Sequence, residues 1–243
     1  MALSKIGTNA ISDDAVTTAK LPNDAVTSAK IADGTIATAN IADDAITAAK
    51  VDDDGTGFTV GDLTIGSTAA KKAGVETIWV PSNSMYPETT NGCALITQVE
   101  LGNGPEMKVL DFDPSSDEHA QFSVAFPKSW NEGTITFKAY FTVTGTNTGT
   151  VAWGLSGVAI ADNDSINTAF GTNVVAAAKA HSGTSNDLNI TNESGAVTIA
   201  GSPAAGEQVF FQIKRDVSAD DQSGDARLLG VQLFFTTDAA NDA

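Results

Sequence analysis

Near the start of the chain an aliphatic residue recurs at every fifth position: Ile6, Ile11, Val16, Leu21, Val26, Ile31, Ile36, Ile41, Ile46 and Val51. No member of the series is missing. Four decapeptides carry it without gaps: ISDDAVTTAK from Ile11, LPNDAVTSAK from Leu21, IADGTIATAN from Ile31 and IADDAITAAK from Ile41. A strict internal period limits the possible folds more than composition does. Five residues advance an α-helix by about 500°, so successive aliphatic residues sit about 140° apart and form no stripe. On a flat strand the odd spacing sends alternate residues to opposite faces. The heptad of a coiled coil does not fit, and Pro22 and Gly34 disturb a continuous helix. The chain must be redirected once per half-repeat. The Asp-Asp-Ala and Asn-Asp-Ala triplets are suited to this, because Asp side chains accept local backbone N–H bonds.

One aliphatic residue in five cannot offset the entropy of ordering a lone chain. Several copies wound about a common axis can bury the series and leave Asp, Thr and Lys to water. The small Ala19, Ala29, Ala39 and Ala49 permit close approach. The expectation is a homotrimeric fibre shaft over residues 1–60, with the ten aliphatic residues on its axis. A single-chain solenoid and an unstructured linker are the alternatives. The first lacks the usual aromatic or Leu ladder, and the second has no need of a gapless period.

Aromatic side chains dominate conventional cores, and here they divide the chain. Of its 11 Phe, 3 Trp and 2 Tyr, only Phe58 precedes residue 75. Residues 58–67 read as a short strand, and 61–74 as a hinge. From Val75 the pattern becomes alternating and β-branched, punctuated by Gly, Asn, Pro and Asp. Strands are predicted over 76–80, 94–101, 107–112, 119–126, 134–143, 150–159, 187–191, 196–200, 208–217 and 226–236. The last two flank a polar loop, Ser218–Asp225, and read as a hairpin. Short helices are predicted over 164–170 and 174–180. With no βαβ rhythm, the class is all-β: an antiparallel β-sandwich knob, jelly-roll-like, over 75–243.

The 13 Lys+Arg stand against 30 Asp+Glu, a formal charge of −17. That balance argues against nucleic-acid binding and against anionic membrane surfaces. No run of about 18 apolar residues is present, so no membrane insertion is expected. Met1–Ala10 lacks the basic-then-apolar pattern of a signal peptide. The single Cys93 excludes an intrachain disulfide and a Cys-rich zinc site.

Several stretches resemble a module of tailed-bacteriophage virion proteins. They are Asp111-Phe-Asp-Pro, Ala120-Gln-Phe-Ser-Val-Ala-Phe-Pro-Lys-Ser-Trp130-Asn-Glu-Gly-Thr-Ile-Thr-Phe-Lys, Val151-Ala-Trp-Gly-Leu, Ala161-Asp-Asn-Asp, Phe211-Gln-Ile-Lys-Arg-Asp-Val-Ser-Ala-Asp and Ala226-Arg-Leu-Leu-Gly-Val. The decapeptides resemble the Ile-Ala-Asp-Asp-Ala-Ile-Thr units that precede globular heads in phage fibres. The resemblance spans nearly the whole chain. It implies a homotrimeric head or tail fibre at the virion surface, bound to capsid or tail proteins through its N-terminus. The knob would then meet a host-surface glycan or protein. The resemblance brings no catalytic residue.

Asp111, Asp113, Asp117 and Glu118 cluster, but glycoside cleavage needs two carboxyls at a set separation across a cleft; a solvated strand end is the favoured reading. Asp162-Asn163-Asp164 alternates oxygen ligands but lacks the Gly and terminal Glu of an EF-hand, so a helix N-cap before Ile166–Phe170 is favoured. Asp216, Asp220, Asp221 and Asp225 read as an acidic turn. Cys93 with His119 or His181 lacks the surroundings of a thiol protease. Cys93 reads as a small buried hydrophobe and His181 as a surface residue. Trp79, Trp130 and Trp153 read as core or interface residues rather than a sugar platform. The expectation is a protein with no enzymatic activity, cofactor or metal.

Overall fold

The computed structural model describes residues 15–42, 45 and 74–237. Ile6, Ile11, Ile46, Val51, the expected strand 58–67 and the hinge up to residue 73 lie outside them. The chain divides into two compact units, Met1–Thr64 and Ile65–Ala243.

In the first unit a turn closes every five residues. The amides of Lys20, Ala25, Lys30, Thr35, Asn40 and Ala45 donate to the carbonyls of Thr17, Pro22, Thr27, Ala32, Ala37 and Ala42 at 2.8–3.2 Å. Two kinds of turn alternate. One is a 3-10 turn, at Thr18–Lys20, Ser28–Lys30 and Thr38–Asn40. The other has positive φ at its third residue, 61° at Asp24 and 76° at Gly34. Glycine adopts that conformation freely, and Asp is among the few other residues that tolerate it. Lys20 and Lys30 fold back so that Nζ donates to the carbonyls of Ala15 and Ala25, at 2.7 and 2.6 Å. In the third decapeptide Asn40 replaces the lysine, and its Oδ1 accepts the Ala37 amide at 2.8 Å. Among the described residues each aliphatic member of the series, Val16 to Ile41, directly precedes a turn, so the five-residue period there is one turn per aliphatic side chain.

The second unit has fourteen strands: β1 (Gly74–Pro81), β2 (Tyr86–Pro87), β3 (Thr97–Val99), β4 (Met107–Phe112), β5 (Glu118–Ala125), β6 (Thr136–Val143), β7 (Thr150–Val151), β8 (Trp153–Ile160), β9 (Val174–Val175), β10 (Lys179–Ala180), β11 (Asn189–Ile190), β12 (Ile199–Ala200), β13 (Gln208–Arg215) and β14 (Ala226–Thr237). One sheet runs β11-β6-β14-β4-β3, with β1 also paired to β14. β1 lies along β14 from Gly74 opposite Thr237 to Pro81 opposite Gly230. The other sheet runs β12-β8-β13-β5-β2, with β9 also on β8. All pairings are antiparallel except β12 with β8.

The core lies between the sheets because the strands alternate. β6 turns Phe137, Ala139 and Phe141 inward, and β14 turns Val231, Leu233 and Phe235 inward. Facing them are Ala120, Phe122, Leu155, Phe211 and Ile213 of the other sheet. Trp153 bridges the layers, 4.9 Å from Phe112 and 5.8 Å from Phe141. A Cβ on Gly157 would come within 2.7 Å of the Phe211 ring, so glycine there makes room for a large partner.

Two expectations fail here. No helix forms over 164–170 or 174–180. Residues 162–169 are all exposed and offer no stripe to bury, while Val174 and Val175 pair with Leu155 and Gly154 as an edge strand. This excursion covers the outer side of β8, all eight residues of which are buried. Nor do β13 and β14 form a hairpin, since they belong to opposite sheets. The segment between them crosses the end of the sandwich, held by Arg215. That guanidinium is fully buried. Its Nε and Nη2 donate to Asp220 at 2.7 and 3.0 Å. Nη1 donates to the carbonyls of Phe112 and Gly224, and Nη2 also to that of Gln222, at 2.6–3.0 Å. All five donors are used.

Removing one member of a buried ion pair strands the other, at a cost of about 3–5 kcal/mol. Arg215→Met should lower the urea-unfolding free energy of the sandwich by that amount. Asp220→Asn in the same background should recover part of it. An Arg215→Met protein as stable as the parent contradicts the clamp.

Candidate functional site

The decapeptide segment carries the first candidate surface. Val16, Leu21, Val26, Ile31, Ile36 and Ile41 are all uncovered, from 40% exposed at Ile41 to 57% at Val26. A one-chain solenoid would bury them, and this chain does not. Covering the exposed half of each is worth roughly 1 kcal/mol. The turns close one backbone hydrogen bond per half-repeat, and the aliphatic residue beside each turn lacks apolar cover.

The three tryptophans separate. Trp130 and Trp153 are buried, as core residues should be. Trp79 is not a core residue: it stands on the outer face of the first sheet and is 49% exposed. Opposite it on β14 is Gln232, and Gln232 in turn faces Lys138 of β6. Tyr140 meets the indole edge-on at 4.9 Å, and Lys138 Nζ lies 5.3 Å from the centre of the Phe234 ring. Sequence reasoning missed this face. Alternation marks one side of β1 as outward, but only the register shows which aromatic residues meet there.

The acidic residues are occupied in holding the fold. Asp111 lies 3.2 Å from Arg227; burial pushes its carboxyl up and Arg227 opposes this. Asp113 accepts the Ser115 amide at 2.7 Å and also its hydroxyl, and these bonds hold its carboxyl down. Glu118, pushed up by burial, accepts the Asp113 amide at 2.8 Å. Asp117 pairs with Lys214 at 2.7 Å and accepts the Val217 amide. No two of them form a free pair across a cleft. Asp220 serves Arg215, and Asp221 accepts the Thr150 amide and hydroxyl. Asp162 and Asn163 cap no helix. Asn163 has φ of 67° in a turn closed by Asp164 N–H to Ala161 O at 3.1 Å.

Cys93 is buried as expected. Burial, then the charges of Glu118 and Asp111, push its thiol up to about 12, so no thiolate is available for attack. His119 meets Cys93 only through the backbone. His181 is buried rather than on the surface. Its ring nitrogens face the carbonyls of Asn147 at 2.7 Å and Thr184 at 2.9 Å, so the Gly/Ser/Asn-rich loop folds over it. Among the described residues no three His, Cys, Asp or Glu side chains come together as metal ligands, and no helix is long and apolar enough to cross a membrane.

No protein-family model and no curated protein matches the chain. Solved structures similar to it include the CBM36-1 domain of a multidomain xylanase from the hindgut metagenome of Trinervitermes trinervoides, with a TM-score of 0.34 and 11% identity over 65% of this chain and 96% of that one. CBM35 from Cellvibrio japonicus Abf62 has a TM-score of 0.36 and 8% identity over 65% and 92%. The carbohydrate-binding module TmCBM27, characterised for specific mannan recognition, has a TM-score of 0.34 and 12% identity over 68% and 98%. Likeness this slight transfers neither a ligand nor an activity.

Asp216 supplies a pH signature for the acidic end of the sandwich. Burial works against its carboxylate. The Ser218 hydroxyl and amide at 2.6 and 3.2 Å, with Lys214 at 3.3 Å, outweigh that and hold it below the ordinary 3.8. A depressed folded value gives stability that is complete above the ordinary one and lost as pH falls through the folded one. Asp216→Asn should therefore be less stable than the parent at pH 7, and the gap should close on acidification below about pH 4, read by thermal unfolding. A gap that stays constant down to pH 2 would show that the charge contributes nothing.

Proposed function

We propose that the chain is a non-enzymatic structural protein of a tailed-bacteriophage virion. Three copies join along the decapeptide segment, the N-terminal end attaches to capsid or tail proteins, and the sandwich is displayed for adhesion to a host surface. The observation that carries this reading is the row of turns whose aliphatic residues stay uncovered in one chain. Around a threefold axis each chain is covered from two sides by its copies, and Ala19, Ala29 and Ala39 keep the approach close. Burial of the series on the axis then supplies the stabilisation that the single chain lacks. The residue-by-residue use of the acids for turns, ion pairs and the Arg215 clamp disfavours a glycan depolymerase. A purely capsid-decorating head fibre is the other version, and the exposed Trp79 favours adhesion over it.

Light scattering tests assembly: the full chain should have the mass of three chains at micromolar concentration, and a one-chain mass overturns the reading. Replacing Ile31, Ile36 and Ile41 together by Asp would put charges on the axis without compensation. That variant should run as single chains while its sandwich keeps the parent's near-ultraviolet circular dichroism.

Attachment has its own test. Removing residues 1–20 should abolish incorporation into particles and leave a folded sandwich. Truncated protein that co-purifies with virions at normal copy number reverses the orientation.

A further inference from the structure

Trp79 does more than protrude; its neighbours on the sheet seat it. Gly230 lies opposite Pro81, two residues along β14 from Gln232. A Cβ at Gly230 would come within 2.5 and 2.6 Å of indole Cζ2 and Cη2. The indole can take this place only because that position has no side chain. The pairing of β14 with β6 is irregular between Leu228 and Gly230, which places the glycine opposite Tyr140. Tyr140 packs against the indole, with ring centres 4.9 Å apart and planes at 81°. The indole thus rests against Gly230 and Tyr140 while Trp79 stays 49% exposed, which leaves aromatic surface open to solvent.

Polar groups surround this plane. Tyr140 Oη donates to Gln232 Oε1 at 2.9 Å, which fixes the amide and leaves its N–H donors for another partner. Beside the indole is a hollow of about 320 Å³, lined by Trp79, Pro81, Asn83, Glu106, Lys108 and Leu229. That volume is at the small end of ligand sites. Asn83, Glu106 and Lys108 are exposed at its rim.

We propose that Trp79 and this hollow bind a neutral hexose ring of a surface glycan. The inference rests on the adhesive reading given above and names its site. An aromatic face is electron-rich, and a pyranose offers a matching face of C–H bonds polarised by its oxygens. Its hydroxyls, around the ring edge, need both donors and acceptors, and Asn83, Glu106, Lys108 and the Gln232 amide supply both. The rim sets one acid against one base, so nothing in it selects a charged ligand. Residues 75–243 carry 7 basic and 20 acidic side chains, a net −13 that repels uronate, sulfate and phosphate polymers.

Tryptophan fluorescence can read this site in the full-length protein, because Trp130 and Trp153 are buried and Trp79 is the one exposed indole among the described residues. The probes are neutral hexaoses of β-1,4-glucose, β-1,4-mannose and α-1,4-glucose, with polygalacturonate as the anionic control. At least one hexaose should blue-shift the emission and protect it from acrylamide. Calorimetry should show its affinity falling by roughly tenfold or more in Trp79→Ala and less in Trp79→Phe. Light scattering on the same samples separates the two readings. A trimer that binds none of the hexaoses overturns the sugar site while assembly stands, whereas a parent protein of one-chain mass overturns the fibre whatever the sugar result. Unchanged hexaose affinity in Trp79→Ala, or binding of polygalacturonate alone, overturns the assignment. So does a Trp79→Ala protein that falls from trimer to single chains, because the indole is then a contact between copies.

Discussion

The guanidinium of Arg215 is carried into the closed end of the sandwich, and each of its five N–H groups ends on an oxygen. The oxygens come from Asp220, Phe112, Gly224 and Gln222, so one side chain ties the end of β13 to the end of β4 and to the crossing segment. That tie fixes the segment by which the chain passes from β13 in one sheet to β14 in the other. Because β14 is central in its own sheet, it can pair with β1 on one edge and β6 on the other. Trp79 of β1 and Tyr140 of β6 meet over Gly230 only in that arrangement. A hairpin of β13 and β14 would leave the indole without its seat. The outer face of the first sheet thus depends on β14 lying in that sheet, and the segment leading into β14 is held by the charge buried at the end of the sandwich.

The decapeptide segment is built on the opposite principle. Its hydrogen bonds are short-range, closing turns of three residues' separation and lysine bonds of five. Within one chain the turns set the path of the backbone, while apolar cover is missing. In most folds the same contacts supply both. Here they are separated, so the proposed association would add hydrophobic burial to a backbone already turned at fixed intervals and would have less chain entropy to overcome.

Much of this was legible from the residues. The gapless series required a redirection every five residues, and the turns close at that interval. The long alternating strands β4, β5, β6, β13 and β14 fall within a residue or two of their expected bounds, because half-buried strands leave a period-two signature. What failed depended on partners distant in sequence. Residues 164–170 and 174–180 look helical by composition, yet 164–169 are exposed while Val174–Val175 and Lys179–Ala180 pair with distant strands. Ser218–Asp225 looks like a hairpin loop, because nothing local reveals that Arg215 will be satisfied by Phe112. His181 sits among Gly, Ser and Asn and still ends up buried between two carbonyls. Trp79 is the instructive residue at the site. Its chemistry was visible, but the glycine that seats it is 151 positions away.

Gly74, the first described residue of the sandwich, pairs with Thr237, the last. Paired Cα atoms in an antiparallel ladder are only about 5 Å apart. The domain is therefore entered and left at nearly one point, as a loop is. Such a module can be spliced between neighbouring residues of an unrelated protein without prising its host apart. Its β1–β14 ladder would close the insertion as a ready-made stem. Portability of this kind would let the sandwich be moved from one carrier to another, each keeping its own means of anchorage.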